Sequence, residues 1–182
     1  VIRWAAEMCG FPAETSGLLV TGSSMANMIA VITASRAVPD GLEMRARGVG
    51  TRRLVGYAAA TAHGCISRAF DLTGLGTDSL RVIPVDAENR IILPELEQAI
   101  ARDHAAGLEP FMVIGTAGTV DTGAIDNLDG LADIAAREGI WFHVDGAFGA
   151  LAMLSDTLRP MLRGLERADS VAFDFHKWAQ VQ

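Results

Sequence analysis

A chain of 182 residues, half of them apolar and a fifth charged, carries enough core material for one domain and can bury roughly 70% of its unfolded surface. A formal net charge of −7 with no basic stripe argues against a nucleic-acid partner, and the lack of any run of about 18 apolar residues argues against a membrane span. Two cysteines, Cys9 and Cys65, are too few for a disulfide framework and lack the paired spacing of a zinc site, so they are expected as buried thiols in a reducing cytoplasm, with no metal centre.

The first ten residues set Arg3 and Glu7 among apolar positions at helical spacing, which is not the layout of a signal peptide. Short apolar runs then alternate with amphipathic stretches. Strands are expected over residues 17–21, 53–57, 80–85, 111–115, 141–144 and 170–173, with helices in most of the gaps. A helix starting near Ser24 is apolar on nearly every side (Met25, Met28, Ile29, Ile32), as suits a helix packed between the sheet and something else, such as a partner subunit. The polar, glycine-bearing stretch 39–50 reads as a long surface loop. A helix over 94–107 has Pro94 in its first turn and Gly107 as its stop. Another follows Asp126-Asn127, either of which can cap it, and runs to Gly139. The pattern is that of an α/β domain, a mostly parallel sheet with helices on both faces.

In such sheets ligands bind beyond the carboxyl ends of the strands, and that is where the unusual residues fall. Thr21-Gly22-Ser23-Ser24 is a glycine turn entering a helix, with free N–H groups and two hydroxyls suited to a phosphate; the plainer reading makes Ser23 or Ser24 an N-cap. His63, after the second strand, suits a ring-stacking role or a helix cap. Thr116 lies in a second glycine-rich turn after the fourth strand.

Asp145 ends the fifth strand ahead of two small residues, Gly146 and Ala147. A carboxylate there needs a donor or a cation, because burying it unpaired is costly. Lys177 follows the sixth strand within Asp174-Phe175-His176-Lys177-Trp178, and a lysine in a partly desolvated pocket yields a nucleophilic amine. Phosphate turn, histidine, threonine turn, and an aspartate 32 positions ahead of a lysine are together the parts that a pyridoxal-phosphate Schiff base requires.

These motifs resemble those of the group II pyridoxal-phosphate-dependent amino-acid decarboxylases, the family of aromatic-L-amino-acid, histidine and glutamate decarboxylases. His143-Val144-Asp145-Gly146-Ala147 is similar to the family's His-Val-Asp-Ala-Ala, Ala62-His63 to its Ala-His, and Asp174-Phe175-His176-Lys177-Trp178 to its Asn- or Asp-x-His-Lys-Trp; Asp126-Asn127-Leu128 also follows a family pattern. The resemblance implies a fold-type I large domain, incomplete here: residues 1–182 would be part of it, with an N-terminal segment and a small C-terminal domain outside the sequence. It implies pyridoxal 5'-phosphate as cofactor, an L-amino acid as substrate, and a homodimer with its active sites at the interface.

By the same resemblance Lys177 would carry the cofactor, Asp145 would pair with its ring nitrogen, His63 would stack on the ring, and Ser23 and Ser24 would hold the phosphate. Thr116, Ala147, Asp174 and His176 would complete the surroundings. Catalysis would rest on Lys177, His63 and Asp145. The rival readings are another fold-type I lyase, either a carbon–carbon lyase or a desulfurase, and a silent interaction module with the same fold. A nucleotide-binding Rossmann protein is disfavoured because the first turn lacks Gly-x-Gly-x-x-Gly.

Overall fold

The computed structural model describes residues Val1–Val181. Five strands, β1 (Leu54–Ala59), β2 (Leu80–Ile83), β3 (Glu109–Thr116), β4 (Trp141–Asp145) and β5 (Ser170–Ala172), form one sheet in the order β2-β1-β3-β4-β5. Every neighbouring pair is parallel. β1 is buried along its whole length and β3 from Phe111 onward, as a parallel sheet covered on both faces requires. Six helices surround it: α1 (Ile2–Cys9), α2 (Ser23–Ala37), α3 (Met44–Arg47), α4 (Cys65–Leu72), α5 (Leu93–Ala105) and α6 (Leu128–Glu138).

The strand order decides which helix covers which face. The chain steps outward from β1 to β2 through α4, then returns past β1 to β3 through α5. Right-handed crossovers therefore put α4 and α5 on opposite faces. Burial follows that division. Val55, Tyr57, Val113 and Phe142 pack with Leu96 of α5 and Leu131 of α6, while Leu54, Ala58, Met112 and Ile114 pack with Val31 of α2 and Phe70 of α4. The reversal of strand order between β1 and β3 is the switch point at which open α/β sheets leave a crevice above their carboxyl ends.

Several expected boundaries move for identifiable reasons. Residues 17–21 form no strand: a strand exists only with a paired neighbour, and among the described residues no backbone hydrogen bond joins this segment to β5, although the two flank one groove. β2 stops at Ile83 because Pro84, the next residue, has no N–H to donate. The stretch 39–50 is not a plain loop, since it holds a 3₁₀ turn (Gly41–Glu43) and α3. Asn127, not Asp126, caps α6, its Oδ1 accepting from Gly130 N–H at 3.0 Å. The N-cap of α2 is Gly22, at φ 133°, and neither Ser23 nor Ser24 caps the helix with its side chain.

Candidate active site

Alternation along the strands assembles the site. Side chains at i, i+2 and i+4 share a face, so Trp141, His143 and Asp145 of β4 all look toward α2. Residues in parallel register extend that face sideways, Thr116 lying beside Asp145 and Ser170 beside His143. α2 crosses above and lowers Asn27 onto them.

Asp145 is buried, and its carboxylate is held by neutral donors: Asn27 Nδ2–H to Oδ2 at 3.1 Å and Ala147 N–H to Oδ1 at 3.1 Å. Burial raises its pKa, while those hydrogen bonds and the charges of Lys177 and His63 pull it back. Gly146 is required between Asp145 and Ala147, since a Cβ there would stand 2.7 Å from Ala150 Cβ. The alanine found at this point of the related motif does not fit beside Ala150.

Lys177 reaches back onto Asp174, Nζ to Oδ2 at 3.1 Å, with Asp174 buried and the lysine side chain partly open. His176 Nδ1 is 3.9 Å from the other Asp174 oxygen and its ring is largely exposed. Trp178 meets Phe148 edge to face at 5.2 Å, tying the lysine segment to the turn that follows β4. His63 stands ahead of α4, where its Nδ1 accepts from Cys65 N–H at 3.2 Å. The N-cap of α4 is Gly64 and not His63, and the exposed ring remains free to meet a flat group.

Thr116 supplies an informative loose end. Its Oγ1 is, among the described residues, the one buried side-chain polar atom without a hydrogen-bond partner, and natural interiors rarely leave such an atom unmatched. The backbone beneath it is fixed: Asp126 is buried and accepts from Thr116 N–H and Ile91 N–H, both at 2.7 Å, and its own N–H returns a bond to Thr116 O at 3.0 Å. At the start of α2 the N–H groups of Ser23 and Ser24 have no backbone acceptor among the described residues, which leaves donors facing outward for an anion.

Over residues 1–182 the sequence matches the family described as the pyridoxal-dependent decarboxylase conserved domain. The chain belongs to that family. It is 38% identical over 178 residues to an aromatic-L-amino-acid decarboxylase of Bacillus atrophaeus, covering 97% of this chain and 35% of that protein. It is 40% identical over 162 residues to the cysteine sulfinic acid decarboxylase of Mus musculus, covering 88% and 32%. Among solved structures, mouse CSAD superposes with a TM-score of 0.94 at 36% identity, over 98% of this chain and 37% of that one. Oryza sativa TDC with PLP superposes at 0.81 and 32%, over 98% and 40%. The chain thus spans about a third of the length of the curated relatives it matches.

The residues fit the family's cofactor. A buried carboxylate with no cation bonded to it, an unmatched threonine hydroxyl beside it, an amine held by an aspartate and unclaimed N–H groups are the complement of a protonated ring, its polar substituents, an aldehyde and a phosphate. Sequence patterns alone missed Asn27, Ser170 and the structural part played by Asp126. Neither Asn27, one of several polar residues along α2, nor Ser170 is marked by any local signal.

Proposed function

We propose that this chain forms the cofactor-binding part of a pyridoxal-phosphate-dependent decarboxylase that converts an L-amino acid to its amine and CO2. The observation that carries this reading is the Asp145 carboxylate, buried among neutral donors and near enough to Lys177 for that lysine's charge to lower its pKa, with the Lys177 amine itself held on Asp174. Pyridoxal phosphate, when bound, supplies a ring that accepts the electron pair left as the substrate carboxylate departs.

The chain's own residues do the rest. Lys177 would offer its amine to the cofactor aldehyde, and Asp174 holds that amine in place through the contact between Nζ and Oδ2. Asp145, whose hydrogen bonds from Asn27 and Ala147 oppose the upward pull of burial on its pKa, would favour a proton on the ring nitrogen. A ring so protonated would be the better acceptor of the electron pair, so the effect of Asp145 would fall on the transition state more than on the ground state. His63 would cover one ring face, and its Nδ1 is already occupied by Cys65 N–H, which leaves Nε2 as the free nitrogen. Ser23 and Ser24 offer hydroxyls and N–H groups to the phosphate, Thr116 its unmatched hydroxyl, and Ala147 and His176 line the remaining surroundings.

A homodimer with the site at its interface fits the exposed apolar side chains along residues 18–20 and on the outer side of α2, Met25 and Ile32. A cytoplasmic location fits two cysteines that are buried and unbridged, and no described helix is long and apolar enough to cross a membrane. Lys177 is the single lysine of the sequence, the other fourteen basic residues being arginines, which makes the decisive assay unambiguous within this chain. Borohydride reduction of the full-length protein with pyridoxal phosphate, followed by peptide mapping, is expected to label Lys177, and CO2 release from a panel of amino acids then identifies the substrate. A full-length protein that binds cofactor and leaves Lys177 unlabelled would refute the assignment.

A further inference from the structure

A line of hydrogen bonds, half-buried at its outer end and buried at its inner one, runs sideways from Asn27 through His143, Ser170 and Trp141, to which no role has yet been given. Trp141 Nε1–H donates to Ser170 Oγ at 2.8 Å. The serine hydrogen then has His143 Nδ1 as its acceptor, also at 2.8 Å. A neutral imidazole that accepts at Nδ1 carries its proton on Nε2, and His143 Nε2 lies 2.8 Å from Asn27 Oδ1. With its oxygen so occupied, Asn27 turns its NH₂ group outward, one hydrogen to Asp145 Oδ2 at 3.1 Å and one to Cys65 Sγ at 3.4 Å. With His143 as the Nε2–H tautomer, every bond in the line points the same way, from the indole toward the carboxylate.

The inner members are sealed from water, Asn27 being 0%, His143 1% and Asp145 5% exposed, whereas Trp141 and Ser170 are half-buried. Burial pushes the His143 pKa down to about 4, so the ring is neutral near pH 7 and has a single proton to place. The reverse arrangement is close at hand. If His143 instead carried its proton on Nδ1, it would donate to the Ser170 carbonyl at 3.2 Å, and Nε2 would become an acceptor. Asn27 would then have to rotate its amide and set its oxygen against the Asp145 carboxylate.

We propose that Ser170, His143 and Asn27 form a positioning relay that fixes the His143 tautomer and thereby obliges Asn27 to donate to Asp145, holding that carboxylate anionic and aimed at the cofactor's ring nitrogen. The relay rests on the reading of Asp145 as the partner of that nitrogen. Ser170 is its remote control point: it lies at the start of β5, beside His143 and away from the strand tips, yet it decides which way the asparagine faces. Loss of the Asn27 donor raises the proton affinity of the Asp145 carboxylate and draws the shared proton off the ring.

Two measurements on the full-length holoenzyme test this. Long-range proton–nitrogen NMR of the histidine-labelled protein is expected to report His143 as the Nε2–H tautomer, and an Nδ1–H tautomer would overturn the relay without any variant being made. The second reads the pyridine nitrogen of ¹⁵N-labelled pyridoxal phosphate. Asn27→Leu should lower its protonated fraction and reduce kcat roughly tenfold to a hundredfold at saturating cofactor, the size expected for a lost charge-assisted bond, with substrate KM little changed. Ser170→Ala should move the His143 tautomer and lower kcat by about three- to tenfold, and Ser170→Thr, which keeps the hydroxyl, should restore both. Asp145→Ala is the control. If it leaves the ring nitrogen protonated, the underlying site assignment fails; if it strips that proton while Asn27→Leu and Ser170→Ala leave it in place, the relay alone fails.

Discussion

Gly146 shows how one atom can set the limits of a motif. Its N–H donates to Ala172 O at 2.8 Å, and the space above its Cα belongs to Ala150. Gly146→Ala is expected to destabilise the protein by about 1–3 kcal/mol through overpacking, whereas Gly146→Ala combined with Ala150→Gly should recover most of that loss in urea unfolding. A Gly146→Ala variant as stable as the native protein would show that the turn yields without penalty. At this scale the sequence was most legible where a charge sat against its surroundings. Asp145 and Lys177 stand out because a charged residue at the end of an apolar strand demands a partner, and Asp174 is close enough to Lys177 to be drawn in with it. Asn27 and Ser170 were not legible, because an asparagine or serine is unremarkable until the residue it faces is known. Asn27 meets its carboxylate 118 positions away, and no local pattern spans such a distance. Asp126 was misjudged for a related reason: beside Asn127 it looks like a cap, and only tertiary contact shows it bracing Thr116 and Ile91.

Among the elements, period and punctuation read well. The five observed strands all overlap expected ones, and α5 and α6 fall within two residues of the expected bounds. The failure at residues 17–21 is instructive: an apolar β-type run proposes a strand, but pairing disposes, and Leu18 and Leu19 stay exposed. Pairing and capping are separate contributions, and the cap of α6 can be tested alone. Asn127→Ala removes the acceptor for Gly130 N–H and is expected to cost about 1 kcal/mol, visible as a lower urea midpoint with an unchanged slope. No change in midpoint would mean that the packing of Leu128 and Leu131 holds the helix end without the cap. On the other side of the sheet, Asp103 of α5 accepts from Tyr57 Oη at 2.9 Å and from Arg81 Nε at 3.0 Å. That pins α5 across β1 and β2 by a polar contact that apolar periodicity does not announce.

For the whole molecule, the face that each crossover helix covers follows from the strand order once right-handed crossovers are imposed, and the location of the crevice follows from the same order. Global stability carries the imprint of the buried imidazole. The folded-state pKa of His143, about 4, lies below the ordinary 6.5, so its contribution is complete above about 6.5 and is lost as the pH falls toward 4, by up to about 1.4 kcal/mol per pH unit. Asp145 and Asp126 act in the opposite direction, since burial raises their pKa values and the folded state takes up their protons more readily than the unfolded chain. A difference measurement removes those terms. The stability advantage of the native protein over His143→Gln should shrink between about pH 7 and about pH 5, and a constant gap would show that the ring does not titrate with unfolding.

The distance along the chain between Asn27 and its carboxylate has a temporal meaning. During synthesis α2 leaves the ribosome long before β4 exists, so the asparagine has no carboxylate to grip until the later strand has been made. A nascent chain that stops short of β4 lacks both the Asp145 carboxylate and the Lys177 amine, and so offers a reactive aldehyde neither of the groups proposed to meet it.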